Sequence, residues 1–188
     1  MKTLIKNGTL ATAEASFGAD LLIEDDKIAA IGHNLSKEGV DEVLDATDKL
    51  VIPGGIDPHV HLDMPFMGTF SSDDYTTGTR AAMHGGTTMV IDFILQKQGD
   101  TLRNALTTWQ AKSKDKAVGD YSYHMAVTDF NDQVAEEVKE MIQKEGITSF
   151  KTFMAYKGAL MIDDGQMVGL MKVVKEHGGL VTVHATNG

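Results

Sequence analysis

His59 and His61, separated by one residue, lie in the stretch Ile56-Asp57-Pro58-His59-Val60-His61-Leu62-Asp63. Side chains alternate along an extended segment, so both imidazoles fall on one face and can hold a metal ion there. Lys151 is the second candidate, in Ile147-Thr148-Ser149-Phe150-Lys151-Thr152-Phe153-Met154-Ala155-Tyr156. A lysine in such a strand-like run is rarely buried without a partner. Either it faces solvent, or it is desolvated and its lowered pKa frees the neutral amine for chemistry. A neutral amine can capture carbon dioxide as a carbamate, an anionic oxygen ligand able to bridge two divalent ions. His184 ends a third apolar run, Leu180-Val181-Thr182-Val183-His184. The chain has no cysteine, so any metal must be held by histidine, carboxylate or a modified side chain. The other histidines read as structural: His33 in a turn, His84 and His177 near helix ends where the dipole suits a cation, and His124 inside a strand.

These residues need a scaffold that brings them together. The approach to His59, Leu50-Val51-Ile52-Pro53-Gly54-Gly55-Ile56, is apolar and β-branched with a Pro-Gly-Gly break, which puts the histidines at the far end of a short buried strand. From there strands and helices alternate. Strands are expected at 56–61, 87–93, 121–127, 149–156 and 180–185, and helices at 73–84 and 101–118. A third helix, opened by Asn131 or Asp132, carries Val134, Val138, Met141 and Ile142 on one face before Gly146. The last carries Met167, Leu170, Met171 and Val174 and ends at Gly178-Gly179. This alternation predicts a parallel sheet with helical crossovers. Strands one, four and five would then each deliver a metal-competent residue to one rim, the rim where a parallel barrel keeps its chemistry. Residues 53–188 hold about four and a half βα units, against roughly 250 residues for a closed eightfold barrel. The sheet is therefore either an open doubly wound one or the front half of a barrel.

Residues 3–52 read as hairpins, with runs at Leu4-Ile5, Leu21-Leu22-Ile23, Lys27-Ile28-Ala29-Ala30-Ile31 and Val51-Ile52. Turn signals at Asn7-Gly8, Asp25-Asp26 and Gly32-His33-Asn34 separate them. A sheet this small is marginal alone and is expected to pack on something else. The expected division is a sheet domain over 1–52 and a βα domain over 53–188.

The 188 residues, 42% hydrophobic, can bury a core, and no apolar run approaches the roughly 18 residues of a spanning helix. The opening Met1-Lys2-Thr3-Leu4-Ile5-Lys6-Asn7-Gly8 is too short and broken for a signal peptide. A net charge of -10 opposes nucleic-acid binding and leaves a small molecule as the expected partner. The expected location is the cytosol, with no membrane partner.

Three stretches carry a resemblance: residues 53–66 around the histidine pair, Gly85-Gly86-Thr87-Thr88-Met89-Val90-Ile91-Asp92-Phe93, and Phe150-Lys151-Thr152-Phe153-Met154-Ala155-Tyr156. In order and spacing the chain resembles the D-hydantoinase and dihydropyrimidinase branch of the amidohydrolase superfamily along its whole length. The resemblance implies the first half of a metal-dependent (β/α)8 TIM barrel, preceded by N-terminal strands of a small β-sandwich. It implies a cyclic amidohydrolase that opens hydantoins or dihydropyrimidines to N-carbamoyl amino acids with two divalent ions, zinc in this family. His59 and His61 would hold one zinc, Lys151 as a lysine carbamate would bridge both, and His184 would hold the second. Tyr156 would donate to the substrate carbonyl oxygen. Met64, Phe66, Phe153 and Leu160 match the stretches that shape the pocket over the exocyclic substituent. A homo-oligomer, tetramer or dimer, is also implied.

The family expects a further histidine and an aspartate from strands six and eight, and the chain ends before either. The 188-residue chain is therefore expected to be a truncated product with little or no activity. The family also reads His-Ala-Glu-Asn-Gly where this chain has His184-Ala185-Thr186-Asn187-Gly188, so the carboxylate beside the metal ligand is gone. Within the superfamily, dihydroorotases carry arginine where Asp63 stands, which argues against that branch. An allantoinase-like cyclic-ureide hydrolase and a non-catalytic dihydropyrimidinase-related assembly protein are the alternatives, although such non-catalytic relatives tend to lose the ligands that persist here.

Overall fold

A computed structural model describes residues 1–66 and 68–186. It divides into two compact units, Met1–Gly54 and Gly55–Gly188. Among the described residues, no helix is long and apolar enough to cross a membrane.

The first unit is one sheet of β1 (Lys2–Ala11), β2 (Ser16–Glu24), β3 (Lys27–Gly32), β4 (Glu42–Asp45) and β5 (Leu50–Val51). β1, β2 and β3 form the expected antiparallel hairpins. β4 and β5, however, both pair parallel with β1. Asn7-Gly8 is not a turn: Asn7 has φ 63° and sits where the β1–β2 register shifts, a bulge inside one long strand. The small core of Leu10, Ala19 and Leu21 is supplemented by a polar clamp. Asp20, 5% exposed, takes the Lys6 ammonium at 2.7 Å and the backbone amides of Asn7 and Leu35 at 2.9 and 3.0 Å.

The second unit contains β6 (Gly55–Val60), β7 (Pro65–Phe66), β8 (Thr69–Phe70), α1 (Tyr75–His84), β9 (Thr87–Leu95), α2 (Leu102–Ser113), β10 (Asp120–Ala126), α3 (Asp132–Gln143), β11 (Ser149–Phe153), α4 (Asp164–Glu176) and β12 (Leu180–His184). Each helix starts at a side-chain cap, Asp74, Thr101, Asn131 or Asp163, that accepts from the third residue beyond it. The five large strands are all parallel and run β6-β9-β10-β11-β12, in strict chain order.

That order decides between the two architectures. A doubly wound sheet reverses its strand order at a switch point and carries helices on both faces. Here there is no reversal, and Trp109, Val138, Met141, Leu170 and Val174 of the helices share one core with Val90, Ile94, Met125 and Phe150 of the strands. Residues of the opposite parity, Phe93, Leu95, Ala126, Lys151 and Phe153, line a cavity. This is the construction of a (β/α)8 barrel over its first five strands.

Several boundaries differ from expectation. α2 ends at Ser113 rather than at 118, because the Ser113 hydroxyl bonds the buried Tyr123 hydroxyl and Asp115 turns left-handed at φ 60°. β11 stops at Phe153, so Tyr156 belongs to the following loop, at φ 66°. β6 is an exposed edge strand rather than a buried one, and His61 lies just past its end.

Candidate active site

The end of β6 is fixed from below. Gly78 of α1 lies so close that a Cβ there would overlap the Leu62 side chain, which lets the helix pack directly under the His59–Leu62 segment. The Leu62 amide donates to Asp92 Oδ1 at 3.3 Å. The same oxygen accepts from the Phe93 amide at 2.7 Å, and Oδ2 accepts from the Tyr75 hydroxyl at 2.6 Å. Asp92 is fully buried, and burial lifts its pKa to about 6 against the pull of these donors. The Trp109 indole N–H also favours the anion, though not through a hydrogen bond of normal geometry.

A carboxyl whose folded pKa is raised contributes most stability below its unfolded pKa of 3.8 and loses it as pH rises through 6. Asp92→Asn keeps the shape and stays neutral, with its amide donating to the Tyr75 oxygen. The stability of wild type relative to this variant should fall by about 3 kcal/mol between pH 3.5 and 7. Urea unfolding at several pH values checks this, and a difference that does not change with pH contradicts it.

Above this support the strand ends converge on one cavity of ≈ 480 Å³. His59, His61, Lys151, Tyr156 and His184 all line it, as do Met64, Phe66, Phe153 and Leu160. The His59 and His61 rings stand edge to face, 5.2 Å apart, each against the Phe93 ring at 4.6 and 5.1 Å. The Lys151 ammonium lies 5.4 Å from the Phe153 ring and 6.0 Å from the Phe93 ring. His184 is paired in register with Phe153 and lies 5.5 Å from the Tyr156 ring, centre to centre.

Electrostatics favour neutral donors. Desolvation lowers the Lys151 pKa. Desolvation, then the charges of His59 and Lys151, lower that of His61. Neutral imidazoles ligate metals, and a neutral amine is the form that takes up carbon dioxide. The nitrogen donor set, free of thiolate, therefore suits a divalent ion. Among the described residues, no three His, Asp or Glu side chains gather closely enough to hold a metal by themselves.

Some lining residues were not singled out in the sequence. Phe93 and Leu95 follow from strand parity once β9 is seen to extend to Leu95, whereas Phe70 and Ser71 come from the β7–β8 hairpin and its exit, which carries no alternation signal. Asp63 does not line the cavity. Its carbonyl accepts from Lys112 of α2, and its carboxylate lies 3.7 Å from the same ammonium. Thr186 is exposed, and the remainder of its motif, Asn187 and Gly188, lies outside the described residues.

Comparison with known proteins agrees with this architecture. A D-hydantoinase of Geobacillus stearothermophilus is 53% identical over 188 residues, which cover all of this chain and 40% of that protein. A dihydropyrimidinase of Dictyostelium discoideum is 45% identical over 186 residues, 98% of this chain and 37% of its own length. The crystal structure of dihydropyrimidinase from Brevibacillus agri NCHU1002 matches with a TM-score of 0.97 at 50% identity, covering 100% of this chain and 41% of that one. The chain thus spans about 40% of the length of the relatives it matches. Residues 50–188 match the Amidohydrolase family, and with that match over most of its length the chain belongs to the amidohydrolase family.

Proposed function

We propose that the protein carrying this chain hydrolyses the cyclic amide bond of hydantoins or dihydropyrimidines, giving N-carbamoyl amino acids. The observation that carries this reading is the convergence of His59, His61, Lys151, His184 and Tyr156 on a single cavity at the ends of parallel strands. The names of the relatives, D-hydantoinase and dihydropyrimidinase, support the substrate class. In this reading His59, His61, His184 and a carboxylated Lys151 would together hold two divalent ions, taken as zinc. Metal bound there supplies Lewis-acid polarisation of the amide carbonyl and lowers the pKa of water toward neutrality.

The chain's own residues supply orientation. The cavity has the size of a small-molecule site. Phe66, Phe153, Leu160 and Met64 give it an apolar wall that receives the exocyclic substituent and excludes water. Tyr156 donates its hydroxyl proton in a hydrogen bond to the carbonyl oxygen as charge develops there. Such a donor acts mainly in the transition state, so Tyr156→Phe should lower kcat on the order of 10²–10³-fold with little change in KM. A homo-oligomeric, cytosolic protein is the matching reading of assembly and location.

The test is turnover of hydantoin, dihydrouracil and allantoin by the full-length protein. Ring opening of the first two is expected. Preference for allantoin moves the assignment to a cyclic-ureide hydrolase, and metal binding without turnover of any of the three defeats the enzymatic reading.

A further inference from the structure

We propose that His124 is a positioning residue for this site, holding the strands of His59 and Lys151 at a fixed separation. The inference rests on the metal-site reading given above. It starts from β6, where Asp57 pairs with Val90 but Val60 pairs with Asp92, so three steps on β6 match two on β9. Pro58 sits inside this bulge. Proline has no N–H to give a ladder, and a bulge is where a strand tolerates it. Its carbonyl, which pairs with no strand amide, accepts from His124 Nε2, which reaches across from β10 and lies 2.9 Å away.

The other ring nitrogen completes the brace. His124 Nδ1 is bonded to the Ser149 hydroxyl on β11. A carbonyl can only accept, so Nε2 carries the proton, and in the neutral ring Nδ1 must accept from Ser149. Burial lowers the ring's pKa against the opposing pull of the Pro58 carbonyl, and the nearby His59 and Lys151 charges lower it further. The Phe93 ring, already against His59 and His61, packs on His124 at 4.8 Å. One side chain therefore ties the residue before His59 to a residue two positions before Lys151, on the same face of β11. No backbone pairing does this, because β9 and β10 separate the two strands.

The test compares zinc affinity, by competition with a chromogenic chelator, and metal-free thermal unfolding in four full-length variants. His124→Ala should weaken zinc binding about 10–100-fold, the usual effect of losing a group that orients ligands. His124→Gln places its amide N–H near the Nε2 position, keeps the bond to the Pro58 carbonyl and should recover most of that affinity. Ser149→Ala removes only the second bond and should cost a few-fold. His59→Ala, the ligand control, should lose far more. A His124→Ala protein that binds zinc as wild type does while His59→Ala does not overturns the positioning role and leaves the metal site standing. Unchanged binding in His59→Ala overturns the metal site and this inference with it. If His124→Ala does not fold, wild-type affinity in Ser149→Ala together with equal weakening by Gln at position 124 and by His59→Ala overturns the brace.

Discussion

Lys151→Ala in the full-length protein should lower kcat/KM on the order of 10³–10⁴-fold, the several kcal/mol that metal-assisted polarisation supplies. Metal content should fall with it. Among the described residues that line the cavity, Lys151 is the one amine. It projects between Phe153 and Phe93 rather than toward a carboxylate, and its ammonium is disfavoured by desolvation alone. A cation in that position would repel metal ions beside His59 and His61, whereas a carbamate reverses the sign of the charge and presents oxygen ligands. Elemental analysis at high bicarbonate separates the two states. Wild type should gain metal with bicarbonate and the alanine variant should not. Equal metal content in both removes Lys151 from the site.

The second large effect concerns stability in the first unit. Asp20→Ala should destabilise its sheet by about 3 kcal/mol, the lower end of the cost of breaking a buried ion pair. The lower end applies because Lys6 keeps a bond to the Leu35 carbonyl at 3.2 Å and its side chain is 16% exposed. The loss also orphans the amides of Asn7 and Leu35. The hydrogen bond from Lys6, followed by that from Asn7, holds the Asp20 pKa at about 2, below the ordinary 3.8. A carboxylate depressed in this way stabilises fully above pH 3.8 and ceases to do so as pH falls through 2. Acid unfolding monitored by circular dichroism should therefore show a transition in that window in wild type that Asp20→Ala lacks. Identical acid curves would contradict this.

How much of this was legible depended on whether a residue's placement follows from local pattern. The βα rhythm was, because Val134, Val138 and Met141 repeat at helical spacing and Gly146, at φ 71°, turns the chain just beyond the end of α3. The shared face of His59 and His61 was legible for the same reason, since alternation is local. The choice between open sheet and barrel was not, because strand order is a long-range property that no single segment encodes. β4 escaped notice because Glu42–Asp45 is only four residues long, acidic at both ends and without a buried side chain, and only its pairing with β1 makes it a strand. Asn7-Gly8 has the composition of a hairpin turn, yet β1 continues past it and resumes pairing with β2 at Gly8 after a shift in register. His124 read as structural because its two partners are 66 and 25 residues away in the chain.

Tyr156 illustrates a conflict that strand propensity concealed. Aromatic residues favour extended backbone, but this one is left-handed at φ 66°, with its carbonyl accepting from the amides of Ala159, Leu160 and Met161 at 3.0, 3.0 and 3.3 Å. For a bulky residue that conformation costs about 1–2 kcal/mol, which glycine would recover. A loop optimised for stability alone would carry glycine at position 156, and in the function proposed above the phenol at the cavity is what offsets that cost.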